Sequence, residues 1–79
     1  MAGLTTLNAV PVGSFALVSH IRADGMTRRR LLDLGLVPGT RVEVVRRSPL
    51  GDPIAYNIRG AVIALRKEES SKVLVTQSE

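Results

Sequence analysis

The alternation of apolar and polar residues predicts five short β-strands and one short helix. Phe15, Leu17 and Ile21 fall on alternate positions with Ser19, so the first strand should carry one apolar face. Asp24 follows this strand and is well placed to cap a helix over about residues 26–34. The same alternation predicts later strands at residues 40–47, 54–58, 61–66 and 72–76.

The end of the helix is predicted from the stretch L-L-D-L-G-L-V-P-G at residues 31–39. If Gly35 adopts the left-handed conformation, Leu36 and Leu31 occupy the two positions whose side chains touch in a Schellman ending. Pro38 and Gly39 then suit the centre of a type II turn, which aims the chain into the next strand. We therefore interpret the abrupt change of direction as architectural.

Five strands with one short helix between the first two predict a mainly β fold. A chain of 79 residues is too short for a wide sheet covered on both faces, whereas a small curved barrel buries the apolar faces around one core. We expect an SH3-like β-barrel forming a single domain over residues 1–79, with a lead-in at 1–11 and a tail at 77–79. The expected structural turns contain Gly35, Gly39, Gly51 and Gly60.

Composition narrows the class of protein. The chain has no cysteine, so disulfides and thiolate metal sites are excluded. No apolar run approaches the length of a membrane span, and the N-terminus lacks a signal-peptide pattern, so we expect a chain that is not exported. The net charge of +4 favours an acidic partner.

The residues that could carry chemistry are few. The single histidine, His20, lies in a predicted strand, and Glu68 and Glu69 are adjacent on a polar turn, so no catalytic residues are assigned and an enzyme is not expected. For a metal, His20 and Asp24 are suitably spaced and Met26 and Asp52 could approach them, but the pattern does not define a ligand set. Phosphate binding at the helix is disfavoured because its glycines follow the helix.

The arginines form two clusters, at residues 28–30 on the helix and 46–47 at a strand end. Three interpretations stay open at this point: a solvated face, a surface for an acidic protein, and a nucleic-acid surface. Single-strand binders add aromatic stacking platforms, whereas this chain has only Phe15 and Tyr56, and Phe15 is expected in the core. Nucleic acid is therefore not the expected partner.

Several motifs occur in an order that resembles one known family. They are V-G (12–13), R-L-L-D-L-G-L-V-P-G-T (30–40), V-E-V-V (42–45), P-L-G-D-P-I (49–54), R-G-A-V-I-A-L-R-K-E-E (59–69) and K-V-L-V (72–75). Together they resemble the ferrous iron transport protein A (FeoA) family from about Leu7 to Val75. A similar domain lies at the C-terminal end of the iron-dependent repressors of the diphtheria-toxin-repressor class. A free-standing chain of this length, however, resembles the accessory protein of ferrous iron transport.

The resemblance implies a non-catalytic protein without a cofactor in the bacterial cytoplasm. It would bind and modulate the membrane ferrous-iron permease FeoB, whose cytoplasmic part is a GTP-binding domain. A peripheral position at the inner face of the plasma membrane is a further option, and a metal-sensing or nucleic-acid-binding barrel is the alternative function. The expected contact surface comprises the helix, the segment that follows it and one loop residue. Its residues are Arg28, Arg29, Arg30, Leu32, Leu34, Leu36, Pro38 and Leu50. The competing hypothesis places all of the leucines in the core.

Overall fold

The structure is a computed structural model that describes residues 3–78. Met1, Ala2 and Glu79, at the ends of the predicted lead-in and tail, lie outside the described residues. The elements in chain order are β1 Leu4–Thr6, a 3-10 helix Leu7–Ala9, β2 Phe15–Ile21, α1 Gly25–Asp33, β3 Arg41–Arg47, β4 Ile54–Ile58, β5 Ala61–Leu65, α2 Lys67–Ser70 and β6 Val73–Ser78.

The six strands form one antiparallel sheet in the order β1-β6-β2-β3-β4-β5. Its inner face surrounds a single hydrophobic cluster to which β2 to β6, α1 and the 3-10 helix all contribute. The mainly β class is therefore confirmed, as is the helix between the first two predicted strands. The five predicted strands are present, and β1 is an additional one.

The N-terminal segment is part of the fold and not only a lead-in. Leu4 pairs with Thr76, which adds β1 to the edge of β6. The 3-10 helix that follows places Leu7 and Val10 in the core, both fully buried. A strand of three residues is too short for alternation to reveal it, which is why the pattern did not predict β1.

The predicted apolar face of β2 is wrong for most of the strand. Ala16 and Val18 point into the core, whereas Leu17 is 40% exposed. Pairing with β6 shifts register between Val18 and His20, and this β-bulge returns Ile21 to the inner face. Phe15 also lies on the outer face, half-buried, where the guanidinium of Arg41 stands 4.0 Å from the centre of its ring. The expectation that Phe15 belongs to the core is corrected accordingly.

The end of α1 is built as the leucine spacing predicts. The Leu36 N–H donates to the Leu31 carbonyl at 3.2 Å and the Gly35 N–H donates to the Leu32 carbonyl at 2.9 Å. Gly35 has a φ of 104°, so the Schellman ending is confirmed. The Thr40 N–H then donates to the Val37 carbonyl at 3.0 Å and closes the predicted turn. At the other end Asp24 occupies the N-cap position, but its side chain makes no capping hydrogen bond.

Strands β3 to β5 follow their predicted alternation. Val42 and Val44 of β3 are fully buried, and β4 buries its alternate residues Ile54, Tyr56 and Ile58. Arg59 and Gly60 both have positive φ, at 54° and 87°, which are the angles of a type I′ hairpin turn. Gly39 and Gly51 also lie in turns with positive φ. The polar turn that contains Glu68 and Glu69 is a short helix, α2, which leads into β6.

Candidate functional site

The outer face of α1 carries an apolar groove with a basic rim. Met26 and Leu34 stand eight residues apart on the same face of the helix, and Arg29, Arg30 and Asp33 line the groove between them. The Met26 side chain is 89% exposed, whereas Leu34 is half-buried against the core. A large unbranched apolar side chain held in water at one end of such a groove is a feature that binding to a partner would cover.

The three consecutive arginines have different local roles. Arg28 reaches back to β2, where its Nη1 donates to the Ile21 carbonyl at 3.3 Å. Arg29 lies 3.9 Å from the Asp33 carboxylate, and both of these side chains are largely exposed. Arg30 forms an ion pair with Glu69 of α2. Arg28 and Arg30 therefore fix α1 to the barrel, and Arg29 is the arginine most open to a partner.

Polar contacts connect α1 through α2 to the β3–β4 loop at residues 48–53. Arg30 contacts Glu69 near the end of α2, and the Lys67 N–H at its start donates to Asp52 Oδ1 at 2.9 Å. α2 thus lies between α1 and the loop.

Leu50 is 93% exposed at the tip of this loop. The loop is held by its own hydrogen bonds: Ser48 Oγ donates to the Asp52 carbonyl at 2.8 Å, and the Gly51 N–H donates to the Ser48 carbonyl at 2.8 Å. Because these bonds fix the backbone on both sides of Leu50, its exposed side chain is presented on a defined scaffold.

The structure divides the sequence-predicted contact residues into three groups. Arg28, Arg29, Arg30, Pro38 and Leu50 are exposed. Leu32 and Leu34 are partly buried and pack against the core. Leu36 is fully buried and must be removed from the expected surface, because the Schellman ending that it completes turns its side chain inward. The competing hypothesis is therefore right for Leu36 and wrong for Leu50.

Met26 lines the groove but is not among the contact residues predicted from the sequence. The signal for it was present, since Met26, Arg30 and Leu34 recur at intervals of four and define one helical face. Hydrophobic residues at that spacing usually face a core, and only the tertiary structure shows that Met26 is left exposed.

The residues considered for a metal do not form a site. Within residues 3–78 no three side chains of His, Cys, Asp or Glu come together in an arrangement that could hold an ion. His20 is exposed on β2, with its Nδ1 3.1 Å from the Ser19 hydroxyl. A dedicated transition-metal site usually needs three or four such ligands, so these residues do not fit one.

Neither aromatic ring is an open stacking platform for a nucleic-acid base. Tyr56 is fully buried, and the ring of Phe15 is covered by Arg41. These are the only aromatic residues in the chain. A base stacking on that face of Phe15 would therefore have to displace Arg41.

The environment of Tyr56 changes the acidity of its phenol. Burial raises the pKa of its phenol, because the phenolate would lose its hydration. The nearby Ser70 hydroxyl and the charge of Arg47 lower that pKa in part. Ser70 does not complete a well-formed hydrogen bond, since the Tyr56 hydroxyl has no partner of good geometry. The environment therefore favours the neutral phenol and gives Tyr56 a structural role in the core.

The helices of the described chain are all too short or too polar to cross a lipid bilayer.

Comparison with known proteins identifies the family. The family model of the FeoA domain matches residues 5–77. An Fe(2+) transport protein A/Fe(2+) transporter FeoB fusion protein from Porphyromonas gingivalis is 33% identical over 69 residues, which are 87% of this chain and 8% of the fusion protein. This chain therefore corresponds to a small part of that relative.

Two solved structures show the same fold. The FeoA protein of Chlorobium tepidum is 39% identical and superposes with a TM-score of 0.84, over 91% of this chain and 69% of that one. The FeoA of Stenotrophomonas maltophilia, solved in complex with zinc and described as a prokaryotic SH3 domain protein, is 30% identical with a TM-score of 0.83, over 95% and 96% of the two chains. The predicted SH3-like class is thus confirmed. Since the match to the domain spans nearly all of the described residues, this chain belongs to the FeoA family, which takes part in ferrous iron transport.

Proposed function

We propose that this chain is a non-catalytic accessory of ferrous iron uptake that binds the cytoplasmic part of the permease FeoB and modulates it. The contact surface in this proposal is the groove of α1, from Met26 to Leu34, with Leu50 of the neighbouring loop. A relative in which the FeoA and FeoB portions share one chain supports a physical association between the two.

The exposure of Met26 and Leu50 carries the proposal of this surface. Each is an apolar side chain about nine-tenths exposed, and Met26 lines the same groove as the cationic Arg29. Complete burial of one such side chain is worth about 1.5 to 3 kcal/mol. Two of them buried with one arginine would form the kind of anchor cluster that dominates many protein interfaces.

Binding, and not catalysis, is the activity that the chemistry of the described residues supports. His20 is exposed and contacts the Ser19 hydroxyl, but no described carboxylate accepts a hydrogen bond from its ring to orient it. A serine-based nucleophile needs a base held in place by a third group. We therefore propose that any effect on iron uptake acts through the permease.

The test immobilises this protein and measures how much of the cytoplasmic region of FeoB, from the same organism, it retains. We expect the wild type to retain it and the variant Arg29→Glu/Leu50→Asp to lose most of it. The variant Arg41→Glu/Leu4→Asp makes the same chemical changes on β1 and on the outer face of the sheet, and it should bind like the wild type. Equal retention by all three proteins would remove this surface, and no retention by the wild type would remove the partner.

A further inference from the structure

Helix α2 is too short to hold its own place in the fold. It has four residues, Lys67–Ser70, and a single helical turn has no stability of its own in water. Its last residue, Ser70, is fully buried, so that end of the helix is enclosed by the fold. The position of its other end therefore depends on the groups that accept the backbone N–H groups of Arg66 and Lys67.

Two carboxylates from different parts of the chain accept these N–H groups. Glu69 Oε1 accepts from the Arg66 N–H at 3.2 Å, which is the capping contact of a glutamate at the third helical position. Asp52 Oδ1 accepts from the Lys67 N–H at 2.9 Å. The start of α2 is thus held by its own glutamate on one side and by the β3–β4 loop on the other.

Glu69 also binds α1 through its second carboxylate oxygen. Its Oε2 forms the ion pair with Nη1 of Arg30, while Oε1 accepts from the Arg66 N–H. The Glu69 side chain is 19% exposed, so salt screens this ion pair less than a fully exposed one. One carboxylate therefore joins the start of α2 to α1.

The loop of Leu50 depends on the same helix. Within residues 3–78, the hydrogen bonds described for residues 48–53 stay inside the loop with one exception, which is the bond from the Lys67 N–H to Asp52. The Ser48 hydroxyl holds Asp52 in place, because it donates to the Asp52 carbonyl at 2.8 Å. Fraying at the start of α2 would withdraw the Lys67 N–H and leave the loop with its internal bonds alone.

We propose that Glu69 is a positioning residue that couples α1 to the loop of Leu50 by holding the start of α2. Loss of either member of the Arg30–Glu69 ion pair favours the frayed form of α2, and this loosens a loop to which neither residue is hydrogen-bonded. The coupling is internal to the chain, so it holds or fails whether or not the protein binds FeoB. In the proposed contact surface, it determines how rigidly Leu50 is presented relative to the groove of α1.

The test measures amide hydrogen exchange in the full chain by nuclear magnetic resonance. The exchange rate of a protected amide reports how often its hydrogen bond opens. The Lys67 amide reports on the start of α2, and the Gly51 amide reports on the loop. The Val18 amide, which is bonded in the sheet, is the reference for opening of the whole fold.

Two variants break the proposed coupling from its two ends. Glu69→Ala removes both the cap and the ion pair, and it should speed exchange of the Lys67 and Gly51 amides about fivefold. Arg30→Gln changes only α1 and should speed the same two amides about threefold, because a partly exposed ion pair contributes less than a cap. The Val18 amide should keep its wild-type rate in both variants.

Each variant has a matched control one residue away. Glu68→Ala removes an exposed carboxylate of α2 that forms no ion pair with any residue that the structure describes. Arg29→Gln removes an exposed arginine whose ion pair with Asp33 stays within α1. Both controls should leave the Lys67 and Gly51 amides within about twofold of the wild type.

Three results would overturn the proposal. Faster exchange at all three amides in Glu69→Ala would show a general loss of stability in place of a local coupling. A Gly51 amide that is unchanged in Arg30→Gln, or that changes equally in Arg29→Gln, would show that Glu69 does not connect α1 to the loop. If Glu69→Ala does not fold, the comparison of Arg30→Gln with Arg29→Gln decides alone.

Discussion

At the scale of single residues, the exit of α1 depends on Gly35 more than on the other turn glycines. A Cβ added at Gly35 would lie 2.9 Å from Cδ of Arg59 and 3.3 Å from Cγ2 of Ile58. Gly39, with a similar positive φ of 90°, has open space in the same direction. Alanine substitutions at the two positions therefore distinguish the cost of backbone strain, which both share, from the cost of steric contact, which only Gly35 has.

Gly35→Ala should lower the free energy of unfolding by about 2 kcal/mol and Gly39→Ala by about 1 kcal/mol, because both are strained but only the first meets the β4–β5 hairpin. Urea unfolding followed by circular dichroism measures both values. Equal losses would mean that Arg59 moves aside at no cost, which would contradict the close contact described for Gly35.

Tyr56 offers a second measurement at this scale. Burial raises the pKa of its phenol above the usual value of about 10, so the unfolded chain ionises first as the pH rises. The stability contributed by the neutral phenol is complete below pH ~10 and is lost as the pH rises towards the folded-state pKa. The free energy of unfolding of the wild type should therefore fall relative to that of Tyr56→Phe above pH ~10.

The same shift can be read directly by ultraviolet absorbance. The chain has one tyrosine and no tryptophan, so the phenolate signal belongs to Tyr56 alone. We expect its midpoint to lie higher in buffer than in concentrated urea. Coincident midpoints, in protein that is still folded, would contradict the burial of this hydroxyl.

At the scale of elements, the bulge in β2 determines which side chains reach the core. Apolar residues occupy both faces of this strand. Phe15 and Leu17 lie on one face, and Ala16 and Val18 lie on the other. Alternation alone cannot show which face points into the core, and it predicted the wrong face for residues 15–18. The exit of α1 was predictable because its hydrogen bonds and leucine contact are local in sequence.

Matched threonine substitutions test the orientation of β2. Val18→Thr places a hydroxyl in the core and should lower the free energy of unfolding by about 1 to 3 kcal/mol. Leu17→Thr changes a side chain that is 40% exposed and should cost less than about 1 kcal/mol. Chemical denaturation of the two variants gives the comparison. A larger loss at Leu17 would restore the alternation originally predicted.

At the scale of the whole molecule, the sequence was enough for the class of fold and for most of the predicted strands and turns. It could not show the α1 groove, because Met26 becomes a surface residue only when α1 is packed on the barrel through Leu31 and Leu36. It likewise could not show that α2 connects α1 to the loop of Leu50. Those relations depend on contacts between residues far apart in the chain.

The central claim is that a surface that includes Met26 and Leu50 binds the cytoplasmic part of FeoB. The most direct test is the affinity of that part of FeoB for the wild type, Met26→Asp and the control Leu4→Asp, by titration calorimetry. Met26→Asp should weaken binding by about tenfold or more, because it loses apolar burial of about 1.5 kcal/mol or more. Leu4→Asp replaces an exposed apolar residue on β1 and should stay within about twofold of the wild type. A Met26→Asp affinity equal to that of the wild type, with the wild type clearly bound, would contradict the account.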